Sequence, residues 1–485
     1  MRRDCVAMAM YDGDSATARV NSTKTVSFQS AKILPSLRYA PPCIGIWALY
    51  LLAFWPGLMS PDSIAQWDQV VKSSFSNNYP AFHTLTNWLI TRVWLSPAAI
   101  AAAQIIALAV IFSLTMVELG RWGIGSRVRA WVTAVFCLSP VNGMMVIALW
   151  KDIPFTCAML GLFTVVLRSV RSEGHWLRSA PGMVALWSAL ALVSLFRHNG
   201  APVAGLFLVI MLIVWRRVCF RQLLRVGVNW LLFFIIVTGP VYRLIGVFPM
   251  AKFFALQNVM HQIGAMISKD VIRSSSELDY LASIQPLESW LRYYDCYSLN
   301  GLVYNENVRH QFMESNGDPI LGIWLRSIMR DPEVFLAHQK CVTSMLWQIK
   351  EPSGRHGRLY TTERGIVEND LGLKARSLLP QLRAFISQAV DWSLDPRLIW
   401  FLWRPAIYFY ALLLCVGIAA LRTKNFKLLL VSAPAVLNSL VWLPLITTQD
   451  FRFQYPVYAM GVIVPALLFM PRQTQKIEPT TSGED

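Results

Sequence analysis

Directly after its first long apolar run the chain reads Ser60-Pro61-Asp62-Ser63-Ile64-Ala65-Gln66-Trp67-Asp68, which places two carboxylates where a membrane surface should lie. A carboxylate beside hydrocarbon is costly unless it is solvated or paired, so a juxtamembrane acid is a candidate for chemistry by default. Similar junctions recur: Tyr79-Pro80 and His83 in the same loop, then Trp150-Lys151-Asp152, Arg197-His198-Asn199-Gly200 and Gln449-Asp450-Phe451-Arg452. The acids Asp62, Asp68 and Asp152 can take a proton from a hydroxyl or amine, and two of them together can hold a divalent cation, the one cofactor the pattern leaves open. The bases Lys151, Arg197 and Arg452 suit a phosphate, whose charge they offset as it develops on a leaving group. Gln66, His83, His198, Asn199 and Asp450 are the neighbouring candidates for substrate contact. A single charge at a span end can simply be the end of a helix; four such junctions on one face call for more.

The elements that must carry these residues follow from composition. Across 485 residues, 55% are hydrophobic and only 15% charged, with a mean hydropathy of +0.44, which describes a polytopic, all-α membrane protein. A span needs about 20 mostly apolar residues. Windows of that kind lie at 42–58, 97–119, 129–149, 153–168, 181–196, 200–215, 226–246, 398–421, 427–446 and 455–470, about ten in all. The net charge of +16 is not pooled into a tract that would point to nucleic acid. It falls in alternate loops: Arg121, Arg127 and Arg129; Arg168, Arg171 and Arg178; Arg216, Arg217, Arg221 and Arg225; Arg422, Lys424 and Lys427. The positive-inside bias makes those loops and both termini cytoplasmic, and puts all four acid and base junctions on the external face.

The expected organisation is a polar cytoplasmic tail over 1–40, a membrane core over 41–246 with its acidic first external loop at 59–96, an external domain over 247–397, membrane helices over 398–471 and a cytoplasmic tail over 472–485. The late first apolar run lacks a small-residue cleavage site and reads as a retained anchor. In the external domain, 251–267 reads as an amphipathic helix with His261 and Gln262 solvated, and Asp331-Pro332-Glu333 as a helix start. Arg355-His356-Gly357-Arg358 reads as a basic loop. Of eight cysteines, Cys296 and Cys341 alone lie well inside the external domain, where a disulfide can persist, and they are the candidate pair.

In layout the chain resembles the integral-membrane, lipid-phosphate-dependent glycosyltransferases of the GT-C fold, which include protein O-mannosyltransferases and aminoarabinose transferases. Its Asp-then-Gln first loop, Trp-Lys-Asp, Arg-His-Asn-Gly and Asp-Phe-Arg elements are most similar to those of poorly characterised bacterial members, and the Tyr79 to Thr84 stretch looks like their His-Pro segment. The resemblance implies a GT-C-like helical bundle, with Asp62 or Asp68 as acid/base of the first loop and Asp152 as the second-loop acid. It also implies a polyprenyl-phosphate sugar donor, an envelope glycan, lipid or protein acceptor, and a site in the bacterial inner membrane among membrane lipids. Two departures stand out. Asp62 and Asp68, six apart in a helix, need not share a face, which puts a shared metal in doubt, and no Trp-Trp-Asp-like acceptor motif is present. The alternatives are a secondary transporter, against which stand spans nearly free of acids and the lack of a repeat, and an envelope polysaccharide ligase or polymerase.

Overall fold

The computed structural model describes residues 37–350 and 364–471, so Arg355-His356-Gly357-Arg358, most of the N-terminal tail and all of the C-terminal tail lie outside the described residues. The described chain is all-α, with β pairing limited to isolated bridges. Its first part comprises α1 (Ala40–Ala53), α2 (Pro61–Lys72), α3 (Ala81–Thr91), α4 (Pro97–Arg121), α5 (Ser126–Leu138), α6 (Pro140–Val146), α7 (Asp152–Arg171), α8 (Ala180–Phe196), α9 (Gly200–Val214) and α10 (Arg216–Leu244). Further on come α11 (Lys252–Ser268), α12 (Pro319–Arg330), α13 (Pro332–Val342), α14 (Pro380–Ser393), α15 (Pro405–Thr423), α16 (Phe426–Leu445) and α17 (Phe451–Phe469). Proline at the first helical position opens α2, α4, α6, α12, α13, α14 and α15, where its missing N–H costs nothing. Ser96, Ser179 and Asp331 cap α4, α8 and α13 by accepting backbone N–H bonds.

Among the described residues, six helices are long and apolar enough to cross a membrane: α4, α7, α10, α15, α16 and α17. Helices α1, α8 and α9 are apolar but shorter. The expected window at 129–149 is not one span: Pro140 cannot continue α5, and the chain turns at Ser139 into the short α6. Thus nine of the expected ten windows each overlap one of these apolar helices, six of which reach span length, and the 398–421 window opens with a separate short helix, Ile399–Leu402. Helix α7 is the hub, packed against α4, α8, α16 and α17 in one continuous apolar core.

The expected external domain does not behave as one unit. Residues between Phe253 and Ile323 build their own core around α11, on which α12 and α13 pack. His261 and Gln262 of α11 are buried rather than solvated, because the Tyr294 and Trp324 side chains cover them and Trp324 Nε1 donates to Gln262. The stretch after 363 instead runs back along α1. Its backbone donates from Arg376 to Trp55 and from Leu378 to Leu52, and Ile386 and Val390 of α14 join the core of the bundle. Cys296 and Cys341 are joined in a disulfide that ties a loop of the domain to the end of α13.

One glycine is dictated by the fold at the site-bearing end of the bundle. Gly200 opens α9 immediately after Arg197-His198-Asn199, and a Cβ there would collide with the backbone carbonyl of Val193 in α8. By contrast, a Cβ on Gly417 of α15 meets nothing within 4 Å. Gly200→Ala should therefore cost about 1–3 kcal/mol, while Gly417→Ala should be neutral or stabilising by about 0.5–1 kcal/mol. Thermal unfolding of the purified variants checks this; equal midpoints would contradict the close approach.

Candidate active site

Backbone pairing between distant loops assembles the site. Leu58, just after α1, forms a parallel bridge with Ala148, donating to Ile147 and accepting from Leu149, while Met59 pairs in the same way with Ile366 on its other side. Ser63 Oγ donates to Leu149 O at 3.0 Å, and Trp150 Nε1 donates to Ser60 Oγ at 2.8 Å. These contacts bring Asp62, in the first turn of α2, to Lys151, which immediately precedes α7. The last loop is fixed from the domain side: Leu299 donates to Thr447 O, Gln449 donates to Tyr297 O, and Gln449 Nε2 donates to Cys341 O at 2.9 Å. That places Arg452 over the same spot.

The geometry that results is a carboxylate held by two cations. Asp62 Oδ2 lies 2.9 Å from Arg452 Nη1 and 3.7 Å from Lys151 Nζ, and Tyr79 donates to its Oδ1 at 3.4 Å. Arg452 is itself bracketed, since its Nε lies 2.8 Å from Asp450 Oδ2. Trp150 and Tyr79 present ring faces to Arg452 and Lys151 at 5.0 and 4.8 Å. Asp62 keeps 29% of its side-chain surface exposed. It opens into a cavity of about 1170 Å³.

Electrostatics follow from this arrangement. Burial favours the neutral acid at Asp62, but Arg452 and Lys151 outweigh it and hold the carboxyl down to about 2. Because the folded value is depressed, the stabilisation from this cluster is present above the ordinary carboxyl range and is lost only as pH falls toward 2. Burial pulls Lys151 down to about 8, with Asp62 opposing and Arg452 and Arg197 adding to the fall. Burial, then Lys151 and Arg197, lower His198 to about 4, so this imidazole is neutral near pH 7 and lies 3.3 Å from Asn77 Oδ1.

Six of the expected site residues line the cavity: Asp62, Lys151, Arg197, His198, Asp450 and Arg452. The others do not. Asp68 points away from the cavity and pairs with Lys72 at 2.8 Å on the exposed side of α2, an ordinary helical i,i+4 pair, so it is not a partner of Asp62. Asp152 is wholly buried behind the cavity and forms an ion pair with Arg197, so it positions Arg197 rather than facing a substrate. Gln66 and His83 are buried together, with Gln66 Nε2 3.0 Å from His83 Nδ1 and 3.0 Å from Thr84 Oγ1. Burial, then Lys151, lowers His83 to about 3, which keeps it neutral. Asn199 is buried at the start of α9. Asp62, Asp68 and Asp152 thus each face a different basic group in three separate places, and among the described residues no cluster of three or more His, Cys, Asp or Glu side chains is arranged to hold a metal. The divalent-cation reading loses its ligand set.

Sequence reasoning missed the aromatic and domain walls. Tyr79 and Trp150 sit within the motifs and were visible as neighbours, whereas Phe254, Arg292, Tyr293 and Tyr304 reach the cavity from the domain with no local signature.

Breaking a buried pair strands a charge in low dielectric. Asp152→Asn should cost about 3–5 kcal/mol, and adding Arg197→Gln should cost much less than the sum of the two single losses. A double-mutant cycle on unfolding of the purified protein measures this coupling; strictly additive losses would show that the pair does not hold the bundle end. No family model, curated protein or solved structure matches the chain.

Proposed function

We propose that this chain is a membrane glycosyltransferase of about ten transmembrane helices with a GT-C-like layout, moving a sugar from a polyprenyl-phosphate donor to an envelope glycan, lipid or protein acceptor. The observation that carries the reading is the shared pair of cations: Arg452 and Lys151 sit on Asp62, at the wall of a cavity large enough for two substrates. The lining combines aromatic rings with a few charged groups, the usual make-up of a small-molecule site.

In the resting arrangement Asp62 is a weak base, because both cations stabilise its ionised form. A donor phosphate that engages Arg452 and Lys151 draws them off Asp62. Burial then acts on the carboxylate alone and raises its proton affinity. The acceptor hydroxyl oxygen forms its bond to the anomeric carbon, its proton passes to Asp62, and the bond from that carbon to the phosphate oxygen breaks. The bonding pair leaves with the phosphate, where Lys151 and Arg452 offset the charge. Arg197, held by Asp152 and facing Trp442 and Phe453 at 4.9 and 5.0 Å, extends the cationic wall.

Asp62→Asn should lower transfer by about 10²–10⁴-fold while leaving the protein membrane-inserted, and Asp68→Asn should leave transfer unchanged. Full activity in Asp62→Asn would remove the proposed base. Lipid and envelope-glycan analysis of a deletion strain beside an Asp62→Asn strain identifies the sugar and acceptor. The pH dependence carries a sign. With Lys151 at about 8, kcat/KM should fall as pH rises through that value, and Lys151→Arg should remove this alkaline limb because guanidinium stays charged. Lys151→Met removes a cation from Asp62, raises its proton affinity and should bring an acid limb into view. A profile unmoved by either substitution would detach Lys151 from the site.

A further inference from the structure

A second concavity, of about 640 Å³, lies on the side of the bundle between α4, α7 and α8, and it takes no part in the chemistry proposed above. It is a trough rather than a chamber. Residues from Ile100 to Arg121 of α4 line it, about 31 Å of helix, which is close to the hydrocarbon thickness of a bilayer. Its walls are apolar along nearly the whole length, with Ile111, Leu114, Val165 and Leu192 facing across it.

The two ends differ in charge. At the end nearer Asp62, the polar groups are His83, Asn87 and Gln104; His83 is flanked by Gln66 and Asn87, and Gln104 Nε2 donates to Val146 and Ala148. Among the described residues no charged side chain lines that end, which leaves it without a cation to hold a phosphate. At the opposite end stand Glu118, Arg121 and Arg168, with Trp176 beside them. Glu118 is 2% exposed and is already shared by Arg121 at 2.9 Å and Arg171 at 2.6 Å. Arg168 stacks on Trp176 at 4.3 Å. Two arginines therefore hold the one carboxylate while a third, Arg168, stands on Trp176, at the end that the arginine bias of the loops puts in the cytoplasmic leaflet.

We propose that this trough is a binding site for an anionic phospholipid of the cytoplasmic leaflet, one acyl chain lying along α4 and α7 and the phosphate headgroup seated on Arg168 and Arg121. Charge complementarity fixes the headgroup at that end, and hydrocarbon burial holds the chain. Trp176 sits at the depth where an indole favours the interface. The site is separate from the polar cavity and does not depend on the transferase reading.

Native mass spectrometry of the delipidated full-length protein, with phosphatidylglycerol, phosphatidylethanolamine or a polyprenyl phosphate added back, tests this. Phosphatidylglycerol should bind about fivefold or more tighter than phosphatidylethanolamine with the same chains, and Arg168→Gln should remove about that factor. Gly161 lines the trough, and a Cβ there would meet only Ile111 Cδ1, at an ordinary 3.6 Å. Gly161→Leu should therefore fill the trough and weaken both phospholipids. Leu192→Trp, at a position 38% exposed, does the same from the opposite wall without burdening the fold. Equal binding of the two phospholipids, or binding indifferent to all three substitutions, would overturn the proposal. Displacement of phosphatidylglycerol by the polyprenyl phosphate would overturn it too, by assigning the trough to a donor.

Discussion

The buried ion pair between Asp152 and Arg197 is the constraint on which the site-bearing end of the bundle depends. Asp152 starts α7, the hub of the helix packing, and Arg197 ends α8. In a low-dielectric interior neither charge is tolerable alone, so the two helix ends are obliged to meet. The guanidinium then lies over Trp442 of α16 and Phe453 in the first turn of α17, rings that stack on each other at 4.5 Å. Asn438 donates to the carbonyl of Phe453, and the residue next to Phe453 is Arg452. The position of Arg452 over Asp62 is thus set by a charge pair of which Arg197 lines the cavity and Asp152 lies wholly buried behind it.

Backbone pairing supplies the remaining precision. Leu58 against Ala148 and Met59 against Ile366 lock the first loop between two others, and Ser298 against Thr448 locks the last loop to the domain. Isolated bridges of this kind satisfy polar backbone groups in loops that would otherwise be buried without partners. They also leave no hydrophobic period in the sequence, because each involves only one or two residues per segment.

That difference explains what could be read in advance. The helices were legible because apolar windows of span length and prolines at their starts are local signals, and Asp62, Lys151, Arg197, Asp450 and Arg452 were legible because each is a charge at a span end. Which acids would share a place was not. Asp68 and Asp62 occupy one helix but different faces, and Asp152, adjacent to Lys151 in sequence, points the opposite way into the bundle because α7 begins between them. Burial of His261 and Gln262 depended on Trp324 of α12, and the return of 364–397 along α1 depended on backbone bonds to Trp55 and Leu52; both are tertiary facts with no local trace. The break at Ser139-Pro140 was legible too, as a proline that ends a helix, although the apolar window at 129–149 runs straight across it.

The charge inventory of the cluster bears on how such a site would turn over. Lys151, Arg197 and Arg452 stand against Asp62, Asp152 and Asp450, so the group is balanced before anything binds. A balanced, largely buried cluster cannot admit a phosphate as a simple addition, because the new negative charge would be uncompensated in low dielectric. It can admit one by exchange. Arg452 and Lys151 would turn from Asp62 to the phosphate, leaving the surplus negative charge on the one carboxylate of the cluster that combines exposure with withdrawn cations, and its proton affinity would rise. Asp152 cannot serve in this way, being sealed behind the cavity with Arg197, and Asp450 is turned toward Arg452 through both its Nε and its backbone N–H. Asp62 alone of the three acids combines exposure to the cavity with cations that a second anion could claim. Phosphate binding would thereby make Asp62 a stronger base, and an acceptor hydroxyl in contact with it would give up its proton only as its oxygen forms the new bond, a transfer that leaves the site's total charge unchanged.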